Sequence, residues 1–175
     1  MSRMREVRVR HILLVEDESE IRRMMRIALE EEGDYRVAAA GGLDEAEAML
    51  ADERPDLLIL DAVVPRARGF PGRSGMEFAA FALAREVPVI LMTGHADLAD
   101  ALEELRFPLL RKPFTIDALQ GAARAALQRP KDNLRHVRDA LDYLVHHRDE
   151  FAALVEQFGR LSDEITGAPS RPRRK

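Results

Sequence analysis

Acidic, hydroxyl and ammonium side chains stand at the ends of four short apolar runs in this sequence. The first run ends at Val15 and is followed by Glu16-Asp17-Glu18, and another ends in Asp61. Two further runs end in Thr93 and in Lys112-Pro113. A single Asp after a strand is usually a turn or capping residue, and a single Lys is usually a solvated charge. Because all four apolar runs end in side chains that could act in the same chemistry, together they favour one shared site.

Carboxylates gathered at one place require compensating positive charge. Two of them about 4 Å apart repel by roughly 4 kcal/mol at an effective dielectric constant of 20. Lys112 supplies one positive charge, and a hard divalent cation with oxygen ligands, above all Mg²⁺, matches the remaining acids. When a metal and an ammonium neutralise the oxygens of a phosphoryl group, an Asp carboxylate can attack phosphorus and form an acyl phosphate.

The elements that must position these side chains alternate along the first 129 residues. Short apolar runs predict strands, and the patterned stretches after them predict helices. This alternation is typical of an α/β fold with a doubly wound, five-stranded parallel sheet. The predicted strands are 11–15, 35–39, 57–60, 89–92 and 109–111. The first predicted helix is capped by Ser19 and ends at Gly33. Four more helices are predicted near 43–53, 74–84, 97–105 and 115–127.

Chemistry in such sheets takes place beyond the carboxyl ends of the strands. If the strand order is 2-1-3-4-5, the first and third strands are neighbours. Asp17 and Asp61 then face each other across one crevice.

Composition excludes several classes of protein. The 175 residues hold 27 Lys and Arg, 31 Asp and Glu, and no Cys, so a disulfide scaffold, a thiolate metal site and a Cys nucleophile are excluded. The missing cysteines agree with a reducing compartment, and the predicted location is the cytoplasm. No apolar stretch approaches the roughly 18 to 20 residues of a membrane span, so no membrane partner is predicted.

Four segments of the sequence together resemble the receiver domain of two-component response regulators, whose fold is flavodoxin-like with the strand order 2-1-3-4-5. The resemblance covers about 120 residues, and the ordered set is far more specific than any one motif. The segments are ILLVEDE at 12–18, LLILDAVVP at 57–65, VILMTGH at 89–95 and LLRKPF at 109–114.

The resemblance implies a role for each matching position. Asp61 is the expected phosphoacceptor and also a ligand of the Mg²⁺ site. Glu16 and Asp17 are further acids of that site, and the backbone carbonyl of Val63 is another metal ligand. Thr93 is the expected phosphoryl-sensing hydroxyl, and Lys112 the expected phosphoryl-binding cation. The implied phosphodonor is a phosphohistidine on a sensor histidine kinase or phosphotransfer protein. The resemblance also raises the expectation of a cis bond before Pro113.

Two departures from the family pattern affect these expectations. The family usually has an aromatic switch residue three positions before the lysine, and here that position is Leu109. Residues 66–71 look like an insertion beside the phosphorylation site. They could contact a kinase or shield the acyl phosphate, although a flexible surface loop is the simpler interpretation.

The chain beyond Pro130 has a different character. Residues 1–129 hold 18 basic and 23 acidic side chains, against 9 and 8 in residues 130–175, and a domain boundary is predicted near 129–132. Asp132 can cap a helix. Apolar residues then recur every seven positions and predict one long helix over 132–164, or two stacked ones, with a seam that must be buried. One row comprises Val137, Leu144, Phe151, Phe158 and Ile165.

Three outcomes are open for this extension, 130–165. A homodimer through the helix is the preferred prediction, and folding back on the receiver is the main alternative. The histidines at 136, 146 and 147 do not spell a phosphohistidine motif, and no helix-turn-helix follows, so DNA binding is not predicted. The basic tail, 166–175, is predicted to be disordered.

The predicted function is a two-component response regulator that accepts a phosphoryl group on Asp61 in a phosphorelay. Its output would run through protein–protein contacts, and it would turn over no metabolite. One alternative is an aspartyl-phosphate-forming phosphohydrolase. Such enzymes resembling the dehalogenase family carry a second Asp two residues after the nucleophile, where this chain has Val63. Another alternative is an interaction protein with a degenerate acidic pocket. The presence of all four expected side chains makes this alternative less favoured; they are Asp17, Asp61, Thr93 and Lys112.

Overall fold

The structure, a computed structural model, describes residues 8–33, 35–64 and 75–147. Within these ranges the chain forms five strands and five helices in alternating order, and then a sixth helix after α5. The strands are β1 (Arg10–Val15), β2 (Tyr35–Ala40), β3 (Leu57–Asp61), β4 (Val89–Thr93) and β5 (Leu109–Arg111). The helices are α1 (Ser19–Glu31), α2 (Leu43–Asp52), α3 (Gly75–Leu83), α4 (Ala96–Glu104), α5 (Ile116–Gln128) and α6 (Pro130–His146).

The five strands form one parallel sheet in the order β2-β1-β3-β4-β5. The predicted fold class and strand order are therefore confirmed. Because β1 and β3 are neighbours, their carboxyl ends lie side by side, with Val15 opposite Leu60. On the other side of β3, Asp61 is opposite Met92 of β4. This register brings the ends of three motif strands to one edge of the sheet.

Apolar side chains on the two faces of the sheet build two separate cores. In β3, Leu57 and Ile59 belong to the core under α1 and α5, whereas Leu58 and Leu60 belong to the core under α2, α3 and α4. All four side chains are fully buried. A strand covered on both faces must be apolar at every position, which explains why β3 shows no polar alternation before Asp61.

The extension packs back on the receiver over its described part. Val137, Ala140 and Leu144 of α6 are buried in the same core as α2, α3 and α4. Asn133, 7% exposed, accepts a hydrogen bond from the Val89 amide through Oδ1 (2.8 Å) and donates Nδ2–H to the Val89 carbonyl (2.9 Å). The side-chain amide thus continues the β4 ladder where β5 does not reach. The first part of the predicted seam is buried within the chain itself.

Several predicted helix limits differ from those observed. Helix α6 begins at Pro130 and not at Asp132, since proline suits the first helical turn, and it ends at His146, well before residue 164. Ser19 is the first residue of α1, and the capping position is Glu18, whose side chain makes no capping bond. Gly33 is not in the left-handed region.

In the described part of the chain, no helix combines the length and apolar character needed to cross a bilayer. The 66–71 insertion, the seam after His147 and the basic tail lie outside the described residues, so those predictions stay as they were made.

Candidate functional site

Three carboxylates meet at the carboxyl ends of β1 and β3. Glu16 follows β1 and is fully buried, Asp17 is half-buried, and Asp61 ends β3 with 7% of its surface exposed. One oxygen from each of the three lies within 4.8 Å of the others. Two unit charges at that separation repel by about 3.5 kcal/mol at an effective dielectric constant of 20. The predicted acidic cluster is therefore present, and Glu18, the third acid of its segment, is exposed outside it.

Lys112 joins two of these acids. Its Nζ donates to Glu16 Oε2 at 2.7 Å and to Asp61 Oδ2 at 2.6 Å, and its side chain is only 21% exposed. Hydrogen bonds between charged partners of this kind are among the strong ones in proteins. The main chain of Lys112 is fixed beside β4, because its amide donates to the Thr93 carbonyl at 2.7 Å. The side chain extends from there to the acids. The expected cis bond between Lys112 and Pro113 is present.

Burial changes the acidity of all three charged partners. It raises the pKa of Glu16 above its ordinary value, and the Asp61 carboxylate adds to this, although Lys112 partly opposes it. The pKa of Asp61 is also raised, first by burial, against the lowering effects of Lys112 and of the Val63 amide. For Lys112, burial acts to lower the pKa, but Asp61 and Glu16 together outweigh it and the pKa is raised. The carboxylates are thus incompletely compensated by one ammonium.

Thr93 ends the neighbouring strand, and its side chain is 1% exposed. Its hydroxyl oxygen accepts a hydrogen bond from the His95 amide at 3.2 Å, which leaves the hydroxyl hydrogen available. Strand register puts Thr93 one residue beyond Met92, the residue opposite Asp61. The predicted hydroxyl group therefore lies at the same sheet edge as the acids.

Val63 contacts the site through its backbone. Its amide donates to Asp61 Oδ1 at 2.8 Å, which fixes the carboxylate in orientation. The Val63 side chain is buried in the apolar core. Its carbonyl as a metal ligand stays a prediction. Leu109, at the position of the expected aromatic residue, is partly buried against the same core and opposite Leu91.

Two residues that support the site were not singled out from the sequence. Arg22 of α1 donates from Nη1 to the carbonyl oxygens of Glu16 and Asp17. Gly75 begins α3 so close to the chain after Asp61 that a Cβ there would lie 2.7 Å from the Ala62 carbonyl oxygen. Neither position belongs to the four segments, and only the packing between elements shows what it does.

The donor set suits a hard divalent cation. Three carboxylates within a few ångströms offer the oxygen ligands that Mg²⁺ prefers, and Asp17 keeps the cluster open to solvent, so water and phosphate oxygens can complete the coordination shell. The raised pKa values of Glu16 and Asp61 agree, because burial disfavours their charged forms and a second positive charge would help to offset that cost. These residues therefore fit a divalent cation.

Comparison with known proteins agrees with this geometry. The response regulator receiver domain profile matches residues 12–124. The chain is similar to the regulatory protein AtoC of Escherichia coli, with 33% identity over 76% of this chain and 29% of AtoC. It is also similar to the KDP operon transcriptional regulatory protein KdpE of the same organism, with 38% identity over 68% of this chain and 52% of KdpE. The chain thus spans under a third of one relative and about half of the other.

Among solved structures, a response regulator receiver domain protein from Clostridium thermocellum superposes with a TM-score of 0.57 and 29% identity, covering 70% of this chain and 97% of that one. The receiver domain of NtrX from Brucella abortus gives a TM-score of 0.58 and 30% identity over 67% of this chain. The profile match includes the acidic cluster and Lys112. The chain therefore belongs to the response regulator receiver domain family of two-component signalling.

Proposed function

We propose that this receiver accepts a phosphoryl group on Asp61 in a Mg²⁺-dependent reaction. The observation that supports it most is the double contact of Lys112 Nζ with Glu16 and Asp61, inside a cluster of three carboxylates. This arrangement puts a nucleophilic oxygen, an ammonium and a cation site at one place. Phosphoryl transfer requires little more from a protein than such positioning and charge neutralisation.

Each residue has a defined part in the proposed reaction. A carboxylate oxygen of Asp61 forms a bond to phosphorus as the phosphorus–nitrogen bond of a phosphohistidine breaks, and the electron pair stays on the donor nitrogen. Glu16, Asp17 and Asp61, with the Val63 carbonyl, would hold Mg²⁺, which neutralises phosphoryl oxygens when bound. Lys112 exchanges a carboxylate contact for a phosphoryl oxygen, and the Thr93 hydroxyl donates to another.

The proposed donor is a sensor histidine kinase or a phosphotransfer protein, and the proposed output is a change in protein contacts. AtoC is named as a regulatory protein and KdpE as a transcriptional regulatory protein, so transcription is a possible destination of the signal. Output without direct DNA binding stays our prediction. We keep residues 1–129 as the receiver, 130–165 as an extension for dimer formation or docking, and 166–175 as a disordered tail.

No observation favours the phosphohydrolase alternative. The position two residues after Asp61 carries a buried apolar side chain, Val63, and so cannot provide the second acid that those enzymes use. We therefore propose self-phosphorylation and self-dephosphorylation chemistry without turnover of a metabolite.

The proposal is tested by incubating the full chain with acetyl phosphate, with Mg²⁺ or with EDTA, and measuring the intact mass. We expect a gain of one phosphoryl group with Mg²⁺ only, and no gain for Asp61→Asn. A parallel assay for steady release of phosphate from p-nitrophenyl phosphate tests the phosphohydrolase. A gain that survives Asp61→Asn, or no gain in the wild type, would refute the proposed function.

A further inference from the structure

Arg22 binds the main chain of the acidic segment. From the second turn of α1, its Nη1 donates to the carbonyl oxygen of Glu16 at 2.6 Å and to that of Asp17 at 3.0 Å. These are the two residues whose carboxylates join Asp61 in the cluster. One guanidinium nitrogen therefore binds two consecutive carbonyl groups between β1 and α1.

The Arg22 guanidinium is itself held in place. It lies against Gly41, where an added Cβ would be 3.3 Å from Nη1 and 3.5 Å from Cζ. The residue before Gly41 takes part as well, because the Ala40 carbonyl accepts from the Glu16 amide at 3.1 Å. The acidic segment is thus clamped between the end of β2 and the Arg22 side chain, which is half-buried.

The action of Arg22 on the site is geometric. The charges that shift the pKa of Glu16 come from Asp61 and Lys112, and those that shift the pKa of Asp61 come from Lys112 and Asp17. Arg22 contacts carbonyl oxygens instead of carboxylates. Its removal would free the main chain that directs two carboxylates, and metal affinity depends steeply on such supporting contacts.

We propose that Arg22 is a positioning residue for the cation site, which holds the Glu16-Asp17 main chain so that both carboxylates face Asp61. The inference rests on the proposed function, since it assumes that the cluster binds Mg²⁺. Gly41 is the second part of this device, because an added Cβ there would press on the guanidinium and require it to shift.

The test is isothermal titration calorimetry with MgCl₂ on the full-length chain, at a temperature well below its melting point. Arg22→Gln is expected to weaken Mg²⁺ binding by about tenfold or more, in the range found when supporting contacts of metal ligands are removed. Arg22→Lys keeps the charge and a donor, and should recover part of the affinity. Arg23→Gln is the matched control, because it removes the same charge from an exposed position next along the helix and should stay within about twofold of the wild type.

A purely structural role is separated from positioning by thermal melting in EDTA. That role would lower the melting temperature of Arg22→Gln while the folded protein binds Mg²⁺ as the wild type does, and this result would overturn the inference.

If Arg22→Gln does not fold, the Gly41→Ala and Arg22→Lys variants together provide the test. Gly41→Ala keeps every charge but crowds the guanidinium, which must shift by a few tenths of an ångström. Weaker Mg²⁺ binding therefore supports positioning, and unchanged binding in both variants refutes it. Absence of Mg²⁺ binding in the wild type would instead refute the proposed function, and the inference with it.

Discussion

Lys112 is the residue on which the metal-free site depends. Its ammonium is the partner shared by Glu16 and Asp61, yet the pKa of each carboxyl group is still raised. Burial is the main cause, and the single ammonium does not fully offset the cost of burying these charges. A divalent cation would supply further positive charge. Because the buried carboxylates are incompletely compensated, substitutions of Asp61 and Lys112 should change the stability of the metal-free protein measurably.

Asp61→Asn should stabilise the metal-free protein. A raised pKa means that the folded state disfavours the charged carboxylate, so removal of that charge should raise the melting temperature in EDTA at pH 7.5 by about 2–4 °C, which corresponds to about 1 kcal/mol for a chain of this size. Differential scanning fluorimetry measures the shift, and Asp139→Asn, at an exposed position of α6, is the control for loss of one negative charge. A lower melting temperature for Asp61→Asn would contradict the account.

The pH dependence of this effect has a defined sign. Because the folded-state pKa values of Asp61 and Glu16 lie above their unfolded-state values, their contribution to stability is fully present below about pH 4 and is lost as pH rises through the folded-state values. The gain from Asp61→Asn should therefore shrink as the pH is lowered from 7.5 towards 4. Mg²⁺ at pH 7.5 should shrink it too. A gain that is constant over this range would show that the buried negative charge of Asp61 is not its cause.

Lys112→Ala should have the opposite effect on stability. It leaves Glu16 and Asp61 without their shared ammonium, and we expect a loss of about 1–3 kcal/mol in EDTA, below the range for fully buried pairs because the Lys112 side chain is partly exposed. Saturating Mg²⁺ should restore part of the loss. Urea unfolding with and without Mg²⁺ measures both effects, with Lys131→Ala, an exposed lysine of α6, as control. No destabilisation of Lys112→Ala in EDTA would contradict this assignment.

At the scale of elements, the strands were predictable to within one residue. A buried parallel strand must be apolar along its whole length, so runs such as 57–60 stand out against the polar turns around them. The functional residues at strand ends were predictable for the same reason, since carboxyl ends of parallel strands share one edge. Arg22 and Gly75 were not, because their contacts depend on how a helix approaches a loop, which no local pattern records.

Asn133 anchors α6, and its replacement should be costly. Asn133→Ala leaves the amide and the carbonyl of Val89 without their partner in the core, and each buried unpaired group costs about 1–3 kcal/mol. We therefore expect about 2–4 kcal/mol of destabilisation in chemical unfolding. Arg135→Ala on the exposed face of the same helix should change stability by less than about 0.5 kcal/mol. Equal stability of the two variants would show that α6 is not anchored there.

For the whole molecule, the site and the start of α6 lie at opposite ends of one strand. Thr93 ends β4 beside the acidic cluster, whereas Val89 begins β4 and binds Asn133. Whether the extension folds back or dimerises was not predictable from its heptad rows, because an apolar seam is the same for either partner. The structure places its first part, Val137 to Leu144, in the chain's own core.

The homodimer prediction therefore concerns the rows after His147. We expect light scattering to give twice the chain mass for the full chain and a single chain mass for a truncation after residue 147, which retains α6. A truncation after residue 129 is the wrong comparison, because it removes apolar side chains from the core. Monomeric mass for the full chain over the working concentration range would end the dimer proposal.

Chemical mapping can locate the proposed Mg²⁺-dependent acyl phosphate on Asp61. After treatment with acetyl phosphate and Mg²⁺, borohydride reduction converts an aspartyl phosphate to homoserine, which peptide mass spectrometry locates. The account predicts homoserine at position 61, absent when EDTA replaces Mg²⁺ and absent after prior cleavage by hydroxylamine. Homoserine at another aspartate, or a phosphoryl group that resists hydroxylamine, would contradict it.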